Sequence, residues 1–195
     1  TLRTFHVGGT ASKAVSESRI ETKFEGAIEF DELRTVERSG AKSGRVVIGR
    51  SGEYRLVDAS TQTILASGNI PYGSELFVKD GQKLKKGTLI CEWDPYNAVI
   101  ISEYAGKIDY ENIEEGTTFR EEGDEQTGYK EKVIIDSRDK TKNPVLKIML
   151  GKETRKSYNI PVGAHIMVNE GVKVEAGEVL VKIPRATGKS GDITG

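Results

Sequence analysis

Apolar residues in this chain fall in short runs that alternate with polar ones, and no long stretch follows a helical period. IETKF starts at Ile20, AIEF at Ala27, RVVIG at Arg45 and YRLVDA at Tyr54, followed later by VIISEYAGKIDYENI, EKVIID and PVLKIML. Turn-forming clusters such as SGAKSG and SGE separate the runs. This pattern predicts short β-strands joined by tight turns, an all-β chain. Only the start differs. Residues 1–6 read as the end of a helix halted by Gly8-Gly9, and residues 10–17 are too short for a helix that stands alone.

The strand pattern occurs twice. NIPYGSELFVKDGQKLKKGTLICEW (Asn69 to Trp93) returns ungapped as NIPVGAHIMVNEGVKVEAGEVLVKI (Asn159 to Ile183), with eight of 25 positions identical. The identities are mainly punctuation: Ile-Pro-x-Gly, one valine (Val78, Val168), and glycines 81 and 87 against 171 and 177. Variable positions mostly exchange one apolar residue for another, as Leu76 for Ile166 and Leu84 for Val174. Proline presets φ for a tight turn, and glycine accepts the positive φ that often follows it. Weaker echoes pair FEGAIEFDEL (24–33) with YAGKIDYENI (104–113), and RVVI (45–48) with KVII (132–135). The repeat therefore spans roughly 24–93 and 104–183, with the extra length of the second copy in the acidic loop 111–126. Duplication of a whole domain is the simplest source.

Composition narrows the function classes. Twenty-nine basic and 30 acidic residues give a net charge of −1, which argues against a generally nucleic-acid-binding surface. Cys91 is the single cysteine, so no internal disulfide forms and a reducing, cytoplasmic setting is expected. No apolar run approaches bilayer length, and no membrane partner is expected.

V-x-D/E-G-x-x-(L/V)-x-x-G-x-(L/V), followed by Ala-Gly-Lys-Ile, resembles the sandwich-barrel hybrid fold of biotinyl and lipoyl carrier domains. Carriers present a modifiable lysine at the turn that follows. Here the two turn positions read Asp94-Pro95-Tyr96-Asn97 and Pro184-Arg185-Ala186-Thr187. The scaffold matches and the modification chemistry does not. If Ala-Gly-Lys-Ile closed the first barrel, as in carriers, strands would be exchanged between the two copies.

The ends carry the function signal. TLRTFHVGGTAS at 1–12 resembles the close of the first trigger-loop helix in the beta-prime subunit of bacterial RNA polymerase, and GDITG at 191–195 resembles the start of the returning arm. In some bacterial lineages that loop is interrupted by sandwich-barrel hybrid motifs. The resemblance implies residues 1–17 as the end of one arm, 18–100 and 101–188 as two motifs, and 189–195 as the return. It implies His6 and Arg3 as catalytic residues that meet the triphosphate, Leu2 as an apolar contact to the nucleotide, and Gly8 and Gly9 as the hinge. These would act only in the complete enzyme, leaving the isolated fragment inactive. It implies no cofactor or metal in this segment, with Mg2+ bound elsewhere in the polymerase. The implied partners are the beta, alpha, omega and sigma subunits, template DNA, RNA, nucleoside triphosphates and transcription factors. An insert of this kind must leave the loop by two ends on the same side, here near Ser18 and Lys189. The alternative is a stand-alone carrier or interaction protein on duplicated lipoyl-like domains.

Other chemistry-bearing residues have plain readings. His165 reads as surface or strand edge, and Cys91, aligned with Val181, as a buried small residue. Trp93, aligned with Ile183, reads as core. Lys83, Lys85 and Lys86 read as an outward strand face. The acidic loop lacks EF-hand spacing and reads as solvated.

Overall fold

A computed structural model of the chain describes residues 18–38, 44–123, 125 and 128–185. The trigger-loop-like ends at 1–17 and 191–195, and Lys189, lie outside them. The described residues form β-strands and turns with no helix, in two compact units whose main boundary lies between Pro95 and Tyr96, Arg38 being grouped with the second.

Each unit contains the same nine strands in the same order. In the first they are β1 (Arg19–Glu21), β2 (Gly26–Asp31), β3 (Thr35–Arg38), β4 (Gly44–Val47), β5 (Glu53–Val57), β6 (Ile64–Asn69), β7 (Glu75–Leu76), β8 (Lys83–Leu84) and β9 (Leu89–Glu92). In the second they are β10 (Asn97–Ile101), β11 (Gly106–Glu111), β12 (Phe119–Gly123), β13 (Lys130–Ile134), β14 (Val145–Leu150), β15 (Glu153–Asn159), β16 (His165–Ile166), β17 (Lys173–Val174) and β18 (Val179–Pro184). The first unit combines a sheet ordered β1-β9-β7-β4-β3 with one ordered β6-β5-β2-β8. The second repeats both orders as β10-β18-β16-β13-β12 and β15-β14-β11-β17. The strand pairings described for these residues are antiparallel, with one isolated parallel bridge between Glu115 and Phe119.

The duplication extends to single hydrogen bonds. Gly81 N donates to Ile28 O (2.7 Å), and Gly171 N to Ile108 O (2.8 Å). Gly73 N donates to Val47 O, and Gly163 N to Ile134 O, both at 2.8 Å. The repeated glycines have positive φ: 81° and 85° at Gly81 and Gly171, with 87–90° at the other two pairs. In both copies the acid of the Asp/Glu-Gly pair caps a strand. Asp80 Oδ1 accepts from Phe30 N and Glu170 Oε2 from Tyr110 N, each at 3.0 Å. The V-x-D/E-G signature is thus a turn with its own acceptor.

Each unit has its own core. Ile28, Leu56, Ile70, Leu76, Leu84, Ile90 and Cys91 form the first, with Trp93 half-buried against it. Ile108, Ile134, Leu146, Ile148, Ile166, Leu180 and Val181 form the second. Burying one such aliphatic side chain contributes about 1.5–3 kcal/mol, which commits the two-residue strands that carry only one inward position.

Strands are not exchanged. The Gly106–Glu111 strand pairs with β14 and β17 of its own unit, as Gly26–Asp31 pairs with β5 and β8. The reason is local. β1 already fills the edge of β9, with Arg19 opposite Glu92 and Trp93 N donating to Ser18 O. β10 instead pairs with β18, Asn97 opposite Pro184. Residues 97–100 thus run with the second unit, which begins five residues before the boundary read from the sequence.

Candidate functional site

Leu2, Arg3, His6, Gly8 and Gly9 lie outside the described residues, so the structure brings none of them to a site. The carrier-like corner is described in part. It follows β9 as Asp94 and Pro95, with Tyr96 exposed, and β18 as Pro184 and Arg185, with no lysine at its tip in the described residues. Among the described residues no group of three or more His, Cys, Asp or Glu side chains is placed to hold a metal ion.

The acidic loop is anchored at its base. Thr118, fully buried, donates through Oγ1 to Asn112 O and accepts from Glu114 N, both at 2.7 Å. Beyond it β12 pairs with β13, Glu122 opposite Glu131. Glu131 then bonds His165, Oε2 to Nδ1 at 2.6 Å. His165 is on a central strand, between β13 and β18, rather than at an edge. Its cross-strand neighbour is Lys182. The corresponding positions of the first unit are Glu75 and Glu92, which face each other across β7 and β9. The first unit thus carries two carboxylates where the second carries an imidazole and an ammonium group.

Cys91 is fully buried, and burial pushes its thiol up to about 11. A thiol this far above neutrality is not a nucleophile at physiological pH. Two exposed apolar positions recur in both units: Phe24 with Tyr104, and Phe77 with Met167. The reading from sequence missed them, although the offset of 80 residues that aligns Gly26 with Gly106 also aligns Phe24 with Tyr104. They lie in the bends before β2 and β11 and just after β7 and β16, outside the strands, where amphipathic pattern marks nothing.

No protein-family model matches the chain. Curated relatives do. The DNA-directed RNA polymerase subunit beta' of Flavobacterium johnsoniae is 54% identical over 199 residues, and that of Parabacteroides distasonis 53% identical over 199. The corresponding subunit of Bacteroides fragilis is 49% identical over 198 residues. Each alignment takes in the whole of this chain and 14% of the relative's length.

Proposed function

Because the chain is homologous over its full length to a segment of DNA-directed RNA polymerase subunit beta', we propose that it is the β module interrupting the trigger loop of such a subunit, flanked by stubs of the loop's two arms. One observation carries this reading. A duplicated all-β module lies between TLRTFH and DITG, and the whole arrangement aligns with about a seventh of the relatives' length. The carrier alternative is disfavoured by the same alignment and by corners without lysine.

In the complete enzyme His6 and Arg3 meet the incoming triphosphate. Phosphoryl transfer needs positioning and charge neutralisation above all, and an imidazole with a pKa near neutrality can give a proton or partial charge to the leaving pyrophosphate. Leu2 packs on the nucleotide, Gly8 and Gly9 supply the hinge, and Mg2+ is held elsewhere in the polymerase. The segment works with the beta, alpha, omega and sigma subunits on DNA and RNA in the cytoplasm. No helix of the described residues is long and apolar enough to cross a membrane.

His6→Ala in the assembled polymerase is expected to lower the maximal rate of nucleotide addition by about 100-fold with a smaller change in nucleotide affinity, as for a group engaged mainly in the transition state. Single-nucleotide quench-flow measures both. An unchanged maximal rate removes His6 from the mechanism. The isolated chain is expected to show no nucleotide turnover.

A further inference from the structure

The β1–β2 turn and the β8–β9 turn of the first unit are latched together by Thr22. Its N–H donates to Thr88 O (2.9 Å), its Oγ1 donates to Lys85 O (2.7 Å), and its carbonyl accepts from Gly87 N (2.7 Å). Thr22 is buried, so the latch fixes what projects beside it. That is Lys23, Phe24, Lys85 and Lys86, all exposed, joined by Lys83 where β8 pairs with Ala27 of β2. Phe24 leaves 48% of its surface to solvent. None of the four lysines forms an ion pair with a described residue. Glu25 is the only acid in the two turns.

The second unit shows that the fold does not require this charge. Ser102 makes the equivalent latch, its N–H donating to Glu178 O and its carbonyl accepting from Gly177 N. The matching side chains there are Glu103, Tyr104, Lys173, Glu175 and Ala176. Glu103 is committed internally, to Lys156 at 3.6 Å. With Glu178 in the same turn, one backbone thus carries four cations and one acid in the first unit, and one cation and three acids in the second. Unpaired like charges gathered beside an exposed ring cost folding free energy, and a polyanion relieves that cost.

We propose that these two turns of the first unit form a binding site for single-stranded nucleic acid, with Lys23, Lys83, Lys85 and Lys86 meeting phosphates and Phe24 stacking on a base. The exposed ring decides the class of partner. An acidic peptide offers carboxylates to the lysines and a planar face to Phe24 only where it carries an aromatic residue, whereas every base has such a face. The chain's net charge of −1 confines the interaction to this patch. The site lies within the β module and stands independently of any role for the loop stubs.

Fluorescence anisotropy of the full chain with labelled oligothymidylate and oligouridylate tests it, and needs no polymerase activity. Binding is expected at low salt. Replacing Lys85 and Lys86 together by Gln should weaken it and reduce the slope of log affinity against log salt by about 1.4, near 0.7 for each phosphate that a lysine no longer neutralises. Phe24→Ala should weaken it about tenfold. Tyr104→Ala and Lys173→Gln in the second unit should leave it unchanged, and thermal melts check that each variant folds. A preference for one oligonucleotide tells RNA from DNA. No binding at low salt, or equal binding by the Lys85/Lys86 variant, overturns the proposal. Equal competition by polyglutamate together with an inert Phe24→Ala overturns it in favour of an acidic protein partner.

Discussion

Comparing the two copies residue by residue shows how one backbone supports different side chains. In the first unit Arg45 donates to the carbonyl of Val78, and β2 carries Phe30 where β11 carries Tyr110. In the second unit the matching carbonyl, Val168 O, accepts from the Tyr110 hydroxyl, while Lys132 reaches Tyr110 Oη and Asn169 Oδ1, both at 3.2 Å. Arg with Phe has become Lys with Tyr. The shorter lysine leaves the carbonyl to the phenol and sits over the ring instead, 5.0 Å from its centroid. Tyr110→Phe should therefore cost about 1 kcal/mol in urea unfolding, and adding Lys132→Arg should recover most of it. Strictly additive effects in that double-mutant cycle would separate the two positions.

Glycine positions carry a second residue-scale prediction. Gly81 and Gly171 hold φ near +80°, so Val at either should destabilise its own unit by about 1–3 kcal/mol. At Gly26 and Gly106 the objection is space. A Cβ would lie 2.6 Å from Val57 O and 2.7 Å from Met149 O, respectively. Alanine there should cost about as much, and a melt within error of the parental protein would refute the contact. The Asp58 carboxylate is held below the usual aspartate range by hydrogen bonds from the Ser60 hydroxyl, the Ser60 N–H and the Thr61 N–H. A depressed carboxylate supports its turn above its unfolded pKa of about 4, and that support is lost as pH falls through the lower folded value. Ser60→Ala should raise the midpoint seen by NMR.

At the scale of elements, each unit completes its own sheets. β1 closes on β9 and β2 on β8, and the second unit does the same with β10 on β18 and β11 on β17. Among the described strands each pairing lies within one unit, so residues 96–188 alone should fold cooperatively, with a sigmoidal urea transition by circular dichroism. A molten, non-cooperative chain would mean the unit is incomplete. Much of this was legible in the sequence, because Pro and Gly fix turn geometry wherever they recur. Alternation is visible in β2, β11 and β14, where Ile28, Ile108, Leu146 and Ile148 are buried, but not in β5, where Leu56 and Val57 are buried side by side. What escaped was the start of the repeat. β1 and β10 match through Ile20 with Ile100 and Thr22 with Ser102, and the second pair is a buried hydroxyl that no hydrophobic pattern reports. The ownership of the Ala-Gly-Lys-Ile strand also escaped, because which edge a strand fills depends on what already occupies it. The central place of His165 was hidden for the same reason, since a two-residue strand carries no mark of its neighbours.

The whole molecule joins a duplicated β module to termini whose roles rest on motif alone. None of the chemistry expected of Arg3 and His6 needs the module. On the proposed reading the module would be unnecessary for phosphoryl transfer as such, and its effect would come through the loop's choice between open and closed states. A ligand or contact that engages the module in one state shifts that choice by its difference in affinity, about 1–3 kcal/mol in typical coupled systems, or roughly 5- to 150-fold in the population ratio. Phosphates meeting Lys23, Lys85 and Lys86 would be one such ligand, and their effect would weaken with salt. Replacing residues 18–189 by a short glycine linker in the complete polymerase should therefore leave the maximal addition rate within a few-fold, while pause lifetimes and transcript cleavage change by up to the ratio above. The Lys85/Lys86 double Gln variant should shift the same lifetimes in the same direction, by less, and only at low ionic strength. Transcription assays on a pause-encoding template read both. Unchanged pausing and cleavage in the deletion enzyme would deny the module a regulatory role. A deletion enzyme that loses nucleotide addition altogether would instead make the module part of the catalytic fold of the loop.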